Sequence, residues 1–306
     1  MPKTAEDLEK SRATRRKIKA ELGCIPESIM RHVKADKSID LMAQERSYQS
    51  LSLMANEPRA YMRQAFGASG MSVRRGALSR FSQSVGRVLL KLYTRRDDWV
   101  IDPFAGHNSR MELCWRAGRN YVGCDVSQKF HEANVKVLEI LRSERSNQLL
   151  VEKFLGNWVD LFCCDSRHMP IEDGLGDFTI TSPPYWDIEE YGDEPEQLGK
   201  QKTYEGFLDG VQEVAADNLR VLKPGAYCVW FVNDFRRKGV FHVYHRDLMN
   251  RMEEVGFEPW DICIVDFGGS FGASFASQIV ERKMLPKRHE YALIFRKPEL
   301  KEEGDG

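Results

Sequence analysis

The chain has 306 residues, of which 42% are hydrophobic and 30% are charged, so it can bury a substantial core and remain soluble. No apolar run approaches the roughly 20 residues that span a bilayer, and the N-terminal stretch MPKTAEDLEKSRATRRKIK lacks the apolar segment of a secretory signal. Seven cysteines without a CxxC pair predict free thiols rather than a disulfide framework or a zinc site. We therefore expect a cytoplasmic protein with no metal and no membrane partner.

The net charge of −1 hides an asymmetry between the start of the chain and the rest. Residues 1–80 hold 16 Lys/Arg and 9 Asp/Glu, whereas residues 81–306 hold 29 and 37. A basic arm on an acidic body favours a polyanionic partner, although such a run, taken alone, is more often a solvated helical face. The candidate contacts from this arm are Arg12, Arg15, Arg16, Lys17 and Lys19.

Two regions with different patterns follow each other along the chain. Residues 1–78 predict a polar, mostly helical extension, in which residues 66–79 form a Gly/Ser-rich loop. From about residue 80 helices and strands alternate, which is typical of a doubly wound, mostly parallel sheet with helices on both faces, and two final strands without a clear helix between them predict an antiparallel edge strand. The predicted helices are 10–22, 28–44, 84–93, 108–117, 129–142, 204–221 and 245–254. The predicted strands are 99–102, 121–124, 161–164, 177–181, 226–232, 262–267 and 291–296.

The stretch WVIDPFAGHNSRMELCWRAGRNYVGCDVS, residues 99–127, is a strand, a tight turn, a helix and a second strand that ends in an acid. Ligands of doubly wound sheets bind at the carboxyl ends of the strands, and Gly106 lets the backbone approach a ligand closely. Asp125 follows 19 residues later, the spacing at which an acid accepts hydrogen bonds from ribose hydroxyls. The turn is neither GxGxxG nor a phosphate loop, so a nucleoside without phosphates fits better than NAD or ATP. Asp165 ends a later strand and is a further candidate to face an adenine amino group or another part of the ligand.

The stretch TSPPYW, residues 181–186, places two prolines between the apolar run DFTI and two aromatic residues. Proline has no N–H to donate, so Pro183 and Pro184 lie outside any central strand ladder. The residue before a proline is driven to extended geometry. The pattern predicts a strand end that runs into a stiff loop with fixed carbonyls, although an ordinary turn with two core aromatics has the same local pattern.

Together these motifs resemble the S-adenosylmethionine-dependent amino-methyltransferases that modify N4 of cytosine or N6 of adenine in DNA. DPFAG followed by GRNYVGCDVS resembles the family's cofactor motif, TSPPYW its catalytic motif, and SRFSQSVGR, residues 79–87, the segment that lines the methionine end of the cofactor. The similarity covers roughly residues 79–298, which we take as the methyltransferase domain, with residues 299–306 as a charged tail. The chain departs from the family at HNSR, residues 107–110, where a Ser-Gly-Thr-like run is common.

The resemblance implies a Rossmann-like fold, S-adenosylmethionine as cofactor and double-stranded DNA with a flipped-out base as substrate. It also implies a prokaryotic or phage origin and allows a restriction endonuclease as partner. The implied cofactor-binding residues are Phe81, Ser82, Asp102, Pro103, Phe104, Ala105, Gly106, Asp125, Asp165 and Ser166. The implied catalytic residues are Ser182, Pro183, Pro184 and Tyr185.

The chemistry explains why the catalytic motif has this composition. An exocyclic amine is a poor nucleophile because its lone pair is delocalised into the ring, and acceptors on its N–H bonds counteract this. We assign that role to the Ser182 hydroxyl oxygen and the Pro183 carbonyl, which the prolines hold in place, and we expect Tyr185 to stack on the flipped base. Serine at position 182, in place of Asn or Asp, resembles the cytosine-N4 branch of the family, and this resemblance favours N4 of cytosine. N6 of adenine, an RNA base, and a nucleic-acid-binding homologue that has lost catalysis remain as alternatives.

Overall fold

The computed structural model describes residues 5–31, 81–106, 108–148, 157–188, 192–268, 280–281, 283–285 and 287–299. The helices are α1 (Ala5–Leu22), α2 (Gln83–Tyr93), α3 (Ser109–Arg116), α4 (Gln128–Gln148), α5 (Tyr204–Val221) and α6 (Tyr244–Glu254). The strands are β1 (Ile29–Arg31), β2 (Trp99–Asp102), β3 (Asn120–Asp125), β4 (Val159–Cys163), β5 (Gly176–Thr181), β6 (Leu222–Val232), β7 (Phe235–Arg237), β8 (Val240–His242), β9 (Glu258–Asp266) and β10 (His289–Arg296).

Eight of these strands form one sheet in the order β1-β9-β10-β6-β5-β2-β3-β4. Strands β2 to β6 pair with one another in parallel, whereas β10 is antiparallel to both β6 and β9. The predicted doubly wound, mostly parallel sheet is therefore confirmed. The antiparallel strand is present but does not lie at the edge as predicted, because β9 and then β1 pair on its outer side.

Hydrophobic layers cover both faces of the sheet. Along β6, Val229 and Phe231 pack into the layer beneath α2 and α3, whereas Trp230 and Val232 pack into the layer beneath α5 and α6. This division follows from the alternation of side chains along a strand. The helices supply apolar stripes at matching spacing, and α5 begins where Thr203 Oγ1 accepts a hydrogen bond of 3.0 Å from the Gly206 N–H.

Most elements after residue 80 were predicted, and two of them, β2 and α5, have the predicted bounds. The predicted helix 28–44 is wrong at its start, because Ile29 to Arg31 form β1 and pair in parallel with β9. The local sequence pattern of these residues is weak. They form a strand because pairing with β9 satisfies their backbone N–H and C=O groups. The rest of that helix and the loop 66–79 lie outside the described residues. All seven cysteines are free thiols.

Candidate active site

The strand order changes direction at β2, and the candidate active site lies at this point of the sheet. From β2 the chain proceeds to β3 and β4 on one side, and then returns to β5 on the other. In such sheets the crevice at the carboxyl ends of the two strands is where ligands bind. The last residue of β2 is Asp102 and the last residue of β5 is Thr181, so the two sequence motifs begin at neighbouring points of the same edge.

Asp102 joins the two motifs through its carboxylate and is fully buried. Its Oδ1 accepts a hydrogen bond of 2.6 Å from the Thr181 hydroxyl, and its Oδ2 accepts bonds of 2.8 Å from the Tyr121 hydroxyl and 2.6 Å from Arg110 Nε. Asp102 was predicted to bind cofactor. Its contacts show that it holds the surrounding turn together, and contact with the cofactor stays a prediction.

Arg110 comes from HNSR, the run that departs from the family pattern. Its side chain is 5% exposed, and its Nη2 donates to the carbonyls of Phe104 at 2.5 Å and Ala105 at 3.3 Å. Burial opposes the charge, but Asp102, with smaller contributions from Tyr121 and Asp125, outweighs that effect and raises the pKa of Arg110. The departure therefore supplies a buried cation that fixes the DPFAG turn. Sequence reasoning missed this role because the reach of a side chain across a turn is not visible in the pattern. His107, the first residue of the run, lies outside the described residues.

Gly106 and Asp125 lie together at the first turn, and binding of ribose by Asp125 stays a prediction. The Gly106 N–H donates a hydrogen bond of 2.7 Å to Asp125 Oδ2, and Oδ1 accepts one of 2.8 Å from the Ser127 N–H. Burial raises the pKa of Asp125 to about 6, although the hydrogen bonds from these two N–H groups act in the opposite direction and lower it. Gly106 has φ +43°, a region that residues with a Cβ rarely adopt. Asn134, which no sequence pattern singled out, donates a hydrogen bond of 2.9 Å to the Gly106 carbonyl.

The end of β4 contributes the third acid and a serine. The Ser166 hydroxyl is buried and donates a hydrogen bond of 2.5 Å to the Pro103 carbonyl, so it links β4 to the first turn. Asp165 is partly exposed, and both of its carboxylate oxygens accept hydrogen bonds from the Arg167 guanidinium. Burial opposes its charge, but Arg167 dominates and lowers the pKa of Asp165. An adenine amine would have to share this carboxylate with Arg167.

Phe81 and Ser82 lie at the start of α2, on the other side of the turn. The Phe81 ring lies 5.4 Å from the Arg110 guanidinium carbon and 4.9 Å from the Phe231 ring, both measured from ring centroids. Ser82 is fully buried, and its Oγ lies 3.3 Å from Ser84 Oγ. Phe81 thus covers the buried arginine, while Ser82 begins the helix.

The loop predicted to be catalytic follows β5 directly and has no regular secondary structure over residues 182–185. The Ser182 hydroxyl is partly exposed and donates a hydrogen bond of 3.2 Å to the Phe231 carbonyl on β6. Pro183 is buried and Pro184 is partly exposed. Trp186 ends the loop with φ +40°, which is rare for a bulky residue and typical of strained functional loops.

Tyr185 is more enclosed than we expected. Its side chain is 6% exposed, and its hydroxyl donates a hydrogen bond of 3.3 Å to the buried Glu290 carboxylate. The rings of Phe235 and Tyr244 lie edge-on to it at 6.4 and 6.2 Å. Little of either ring face is open in this structure, so stacking on a base stays a prediction. Trp186 beside it is only partly buried.

Comparison with known families decides the identity. The family model N6_N4_Mtase, described as DNA methylase, matches residues 79–136 and 177–304, more than half of the chain. The chain belongs to the N6/N4 DNA methylase family. This match confirms the family resemblance that DPFAG and TSPPYW indicated. It also confirms S-adenosylmethionine as the cofactor. No curated protein sequence matches the methylase.

Solved structures similar to the methylase include a SAM-dependent methyltransferase from Methanosarcina mazei, with 14% identity and a TM-score of 0.46 over 69% of this chain and 98% of that one. Another is a candidate DNA modification methylase from Thermus thermophilus, complexed with S-adenosyl-L-methionine. It is 28% identical with a TM-score of 0.34, over 45% of this chain and 55% of that one. The methylase thus spans about half the length of the Thermus protein.

The predicted basic arm is a helix with an exposed positive face. Four of its five candidate cations, Arg12, Arg15, Arg16 and Lys19, share one face of α1 by their spacing, and all five are exposed. The fifth, Lys17, lies 4.0 Å from Glu21. Contact between these cations and DNA stays a prediction. Among the described residues of the methylase, no helix is long and apolar enough to cross a membrane, and no cluster of His, Cys, Asp or Glu could hold a metal.

Proposed function

We propose that this methylase transfers a methyl group from S-adenosylmethionine to N4 of a cytosine that is flipped out of double-stranded DNA. The observation that carries the proposal is the hydrogen bond of 2.6 Å between Thr181 and Asp102. It connects the end of β5 to the end of β2, so Ser182 and Pro183 emerge directly beside the turn that ends at Gly106. This arrangement supports Ser182 and Pro183 as an acceptor pair for the amine of a base that lies beside the proposed nucleoside site.

The residues at this edge fit the cofactor. Asp125 is a carboxylate at the end of β3, where it can accept hydrogen bonds from ribose hydroxyls in addition to those from Gly106 and Ser127. The turn carries no lysine that would recognise phosphates. When bound, S-adenosylmethionine supplies a methyl group activated by its sulfonium, and we assign the methionine end to the side of the turn that Phe81 lines.

Ser182 is oriented to accept. Its single hydroxyl proton is used in the hydrogen bond to the Phe231 carbonyl, so its lone pairs are left to accept from an incoming N–H. The Pro183 carbonyl is the second acceptor, held in place because the two prolines stiffen the loop. Acceptors fixed before the reaction avoid the cost of reorganisation during it.

The remaining steps need no further catalytic group. The target base leaves the duplex at a cost of a few kcal/mol, partly offset by stacking on aromatic side chains. Its exocyclic nitrogen forms the new bond to the methyl carbon as the carbon–sulfur bond breaks, and the sulfur keeps the electron pair. The methylated nitrogen then releases one proton to water.

The choice of cytosine N4 rests on serine at position 182, and adenine N6 is the alternative. An RNA methyltransferase or a catalytically inactive homologue would have the same fold. A restriction endonuclease partner and a prokaryotic or phage origin remain predictions. The test is nucleoside mass spectrometry of DNA and RNA after incubation with the protein and methyl-labelled cofactor. Labelled N4-methylcytosine in DNA supports the proposal. Labelled N6-methyladenine, labelled RNA, or no transfer would each replace it with the corresponding alternative.

A further inference from the structure

The short hairpin formed by β7 and β8 lies at the same edge of the sheet as the candidate active site. Strand β6 runs parallel to β5, with Trp230 paired to Thr181, so β6 ends near the point where Ser182 begins the catalytic loop. The chain then forms β7 and β8 as a separate two-stranded sheet. The main sheet therefore ends here, and the hairpin projects from its functional edge.

The hairpin has a defined turn at its tip. Lys238 and Gly239 have φ +49° and +83°, and positive φ at both central residues is required by the two-residue turn that matches the twist of paired strands. Arg237 pairs with Val240 directly before and after this turn. The direction of the tip is thus set by the backbone.

One face of the hairpin is fixed to the catalytic loop. Phe235 is 9% exposed and packs edge-on against Tyr185, with 6.4 Å between ring centroids. Arg237 forms an ion pair of 2.6 Å with Asp187, two residues after Tyr185. Any molecule that binds the hairpin is therefore held at a fixed position relative to the proposed acceptors.

The tip and the opposite face are exposed, apolar and basic. Phe241 is 42% exposed and Val240 is 58% exposed. The Arg236 guanidinium carbon lies 4.8 Å from the centroid of the Phe241 ring, and Lys287 Nζ lies 5.2 Å from it. The hairpin sequence, FRRKGVFH, contains three basic residues and no acidic one. Exposed rings among cations suit a partner that presents both negative charge and apolar ring faces, as nucleic acids do.

We propose that the hairpin β7–β8 is the element that contacts the DNA duplex beside the base to be methylated, an inference that rests on the proposed function. Arg236 and Lys238 contact phosphates, and Phe241 packs against the base pairs that border the extruded nucleotide. The major groove of B-form DNA is wide enough for a two-stranded ribbon. The basic arm predicted from the sequence would then add affinity away from the site, while the hairpin sets where the duplex lies relative to Ser182.

Binding to a labelled 30-base-pair duplex of mixed sequence, measured by fluorescence anisotropy at several salt concentrations, tests the contact to phosphates. We expect Arg236→Ala/Lys238→Ala to lower the affinity about tenfold. The slope of log affinity against log salt should become shallower by about 2, because each lost phosphate contact removes about 0.9. An affinity within twofold of the wild type, with an unchanged slope, would overturn the proposal.

The chain offers a matched control at the opposite edge of the sheet. Trp260 is 52% exposed and has the Arg296 guanidinium carbon 5.6 Å from its ring centroid. Trp260→Ala/Arg296→Ala removes the same kind of aromatic and cation pair near the amino end of β9, so duplex affinity should stay at the wild-type value. Because the control removes one cation and the hairpin variant removes two, an equal loss of log affinity per cation in the two variants would show a general charge effect and would contradict the proposal. Circular dichroism checks that each variant is folded.

Kinetics with Phe241→Ala test the contact to base pairs. We expect kcat/KM for duplex DNA to fall about tenfold and the affinity for S-adenosylmethionine to stay unchanged, with Phe241→Tyr restoring most of the loss. An unchanged kcat/KM would contradict this part of the proposal. If the wild type methylates no DNA, the proposed function fails, while the binding experiment still tests the hairpin by itself. Tighter binding of single-stranded RNA than of duplex DNA by the wild type, lost in Arg236→Ala/Lys238→Ala, would overturn the choice of DNA.

Discussion

The Thr181 hydroxyl donates a hydrogen bond of 2.6 Å to Asp102 Oδ1, so the last residues of β5 and β2 are joined side chain to side chain. The Phe104 N–H donates to both side chains, with 3.3 Å from its nitrogen to Asp102 Oδ1 and 3.3 Å to the Thr181 hydroxyl oxygen. Two motifs that lie about 80 residues apart in the sequence thus form one rigid unit at the edge of the sheet. The relative position of the cofactor turn and the catalytic loop depends on this unit.

Removing the hydrogen bond between Thr181 and Asp102 should impair catalysis more than folding. Thr181→Val keeps the shape of the side chain but removes the hydroxyl, and we expect a loss of about 1–2 kcal/mol in the free energy of unfolding and a fall of about tenfold in kcat. Urea unfolding and methyl-transfer assays measure the two effects. Thr179→Val is the control, because Thr179 on the same strand accepts a hydrogen bond of 2.8 Å from Asn218, away from the site. A variant of Thr181 that keeps the wild-type kcat would contradict the role of the link.

Arg110 should be a major source of stability for the first turn. Arg110→Met removes one partner of a buried ion pair with 2.6 Å between Nε and Asp102 Oδ2, and leaving a buried carboxylate without its cation costs about 3–5 kcal/mol. Chemical denaturation measures the loss. Lys223→Met is the matched control, since Lys223 forms an exposed pair with Asp177, and such pairs contribute about 0–1 kcal/mol. Equal losses of unfolding free energy in the two variants would contradict a larger contribution of the buried pair to stability.

Cofactor binding should weaken as the pH falls through about 6. Burial raises the pKa of Asp125 to about 6, and its carboxylate accepts hydrogen bonds from ribose hydroxyls more strongly than its protonated form does. We expect the affinity for S-adenosylhomocysteine, measured by calorimetry, to decrease below that pH and to be weak and nearly independent of pH in Asp125→Asn. A wild-type affinity that is constant between pH 5 and 8 would remove Asp125 from the ribose site.

The same group predicts a trend in the stability of the protein without cofactor. A carboxyl whose folded pKa is raised holds more protons in the folded than in the unfolded state between about pH 4 and pH 6. Its contribution to stability is therefore greatest below this window and is lost as the pH rises through it. Asp125→Asn should flatten this part of the curve of unfolding free energy against pH.

The basic face of α1 should contribute to DNA binding through phosphates alone. Neutralising Arg12, Arg15, Arg16 and Lys19 together should make the slope of log affinity against log salt shallower by about 3–4, because each lost contact removes about 0.9. The rate of methyl transfer at saturating DNA should stay unchanged. Equal salt slopes for this variant and the wild type would show that the face is simply solvated.

The sequence predicted those parts of the site that depend on order and spacing along the chain. Gly106 and Asp125, whose separation of 19 residues led us to predict a ribose site, lie at one turn with 2.7 Å between the Gly106 nitrogen and Asp125 Oδ2, and β5 ends at Thr181, before the two prolines. The hairpin was missed because Lys-Gly, between FRR and VFH, is not one of the usual two-residue turn pairs such as Asn-Gly or Asp-Gly. Strand β1 could not be predicted locally, because three residues become a strand only by pairing with β9.

The roles that the sequence could not supply belong to side chains that act across the fold. Arg110 was interpreted as a departure from the family, yet it reaches Asp102 and the Phe104 carbonyl. Asn134 holds the Gly106 carbonyl from a different helix. Tyr185 was expected to present its ring to a base, but packing by Phe235 and Tyr244 encloses it. Motifs identify the residues, whereas burial and partners decide how each is used.

The most direct test of the central claim compares methyl transfer and cofactor binding in Ser182→Ala. If the Ser182 oxygen accepts a hydrogen bond from the target amine in the transition state, the rate of transfer to DNA should fall about 100-fold or more. The affinity for S-adenosylmethionine should stay within twofold of the wild type, and Ser182→Asn, which retains an acceptor oxygen, should recover part of the rate. Transfer by Ser182→Ala at the wild-type rate would contradict the account.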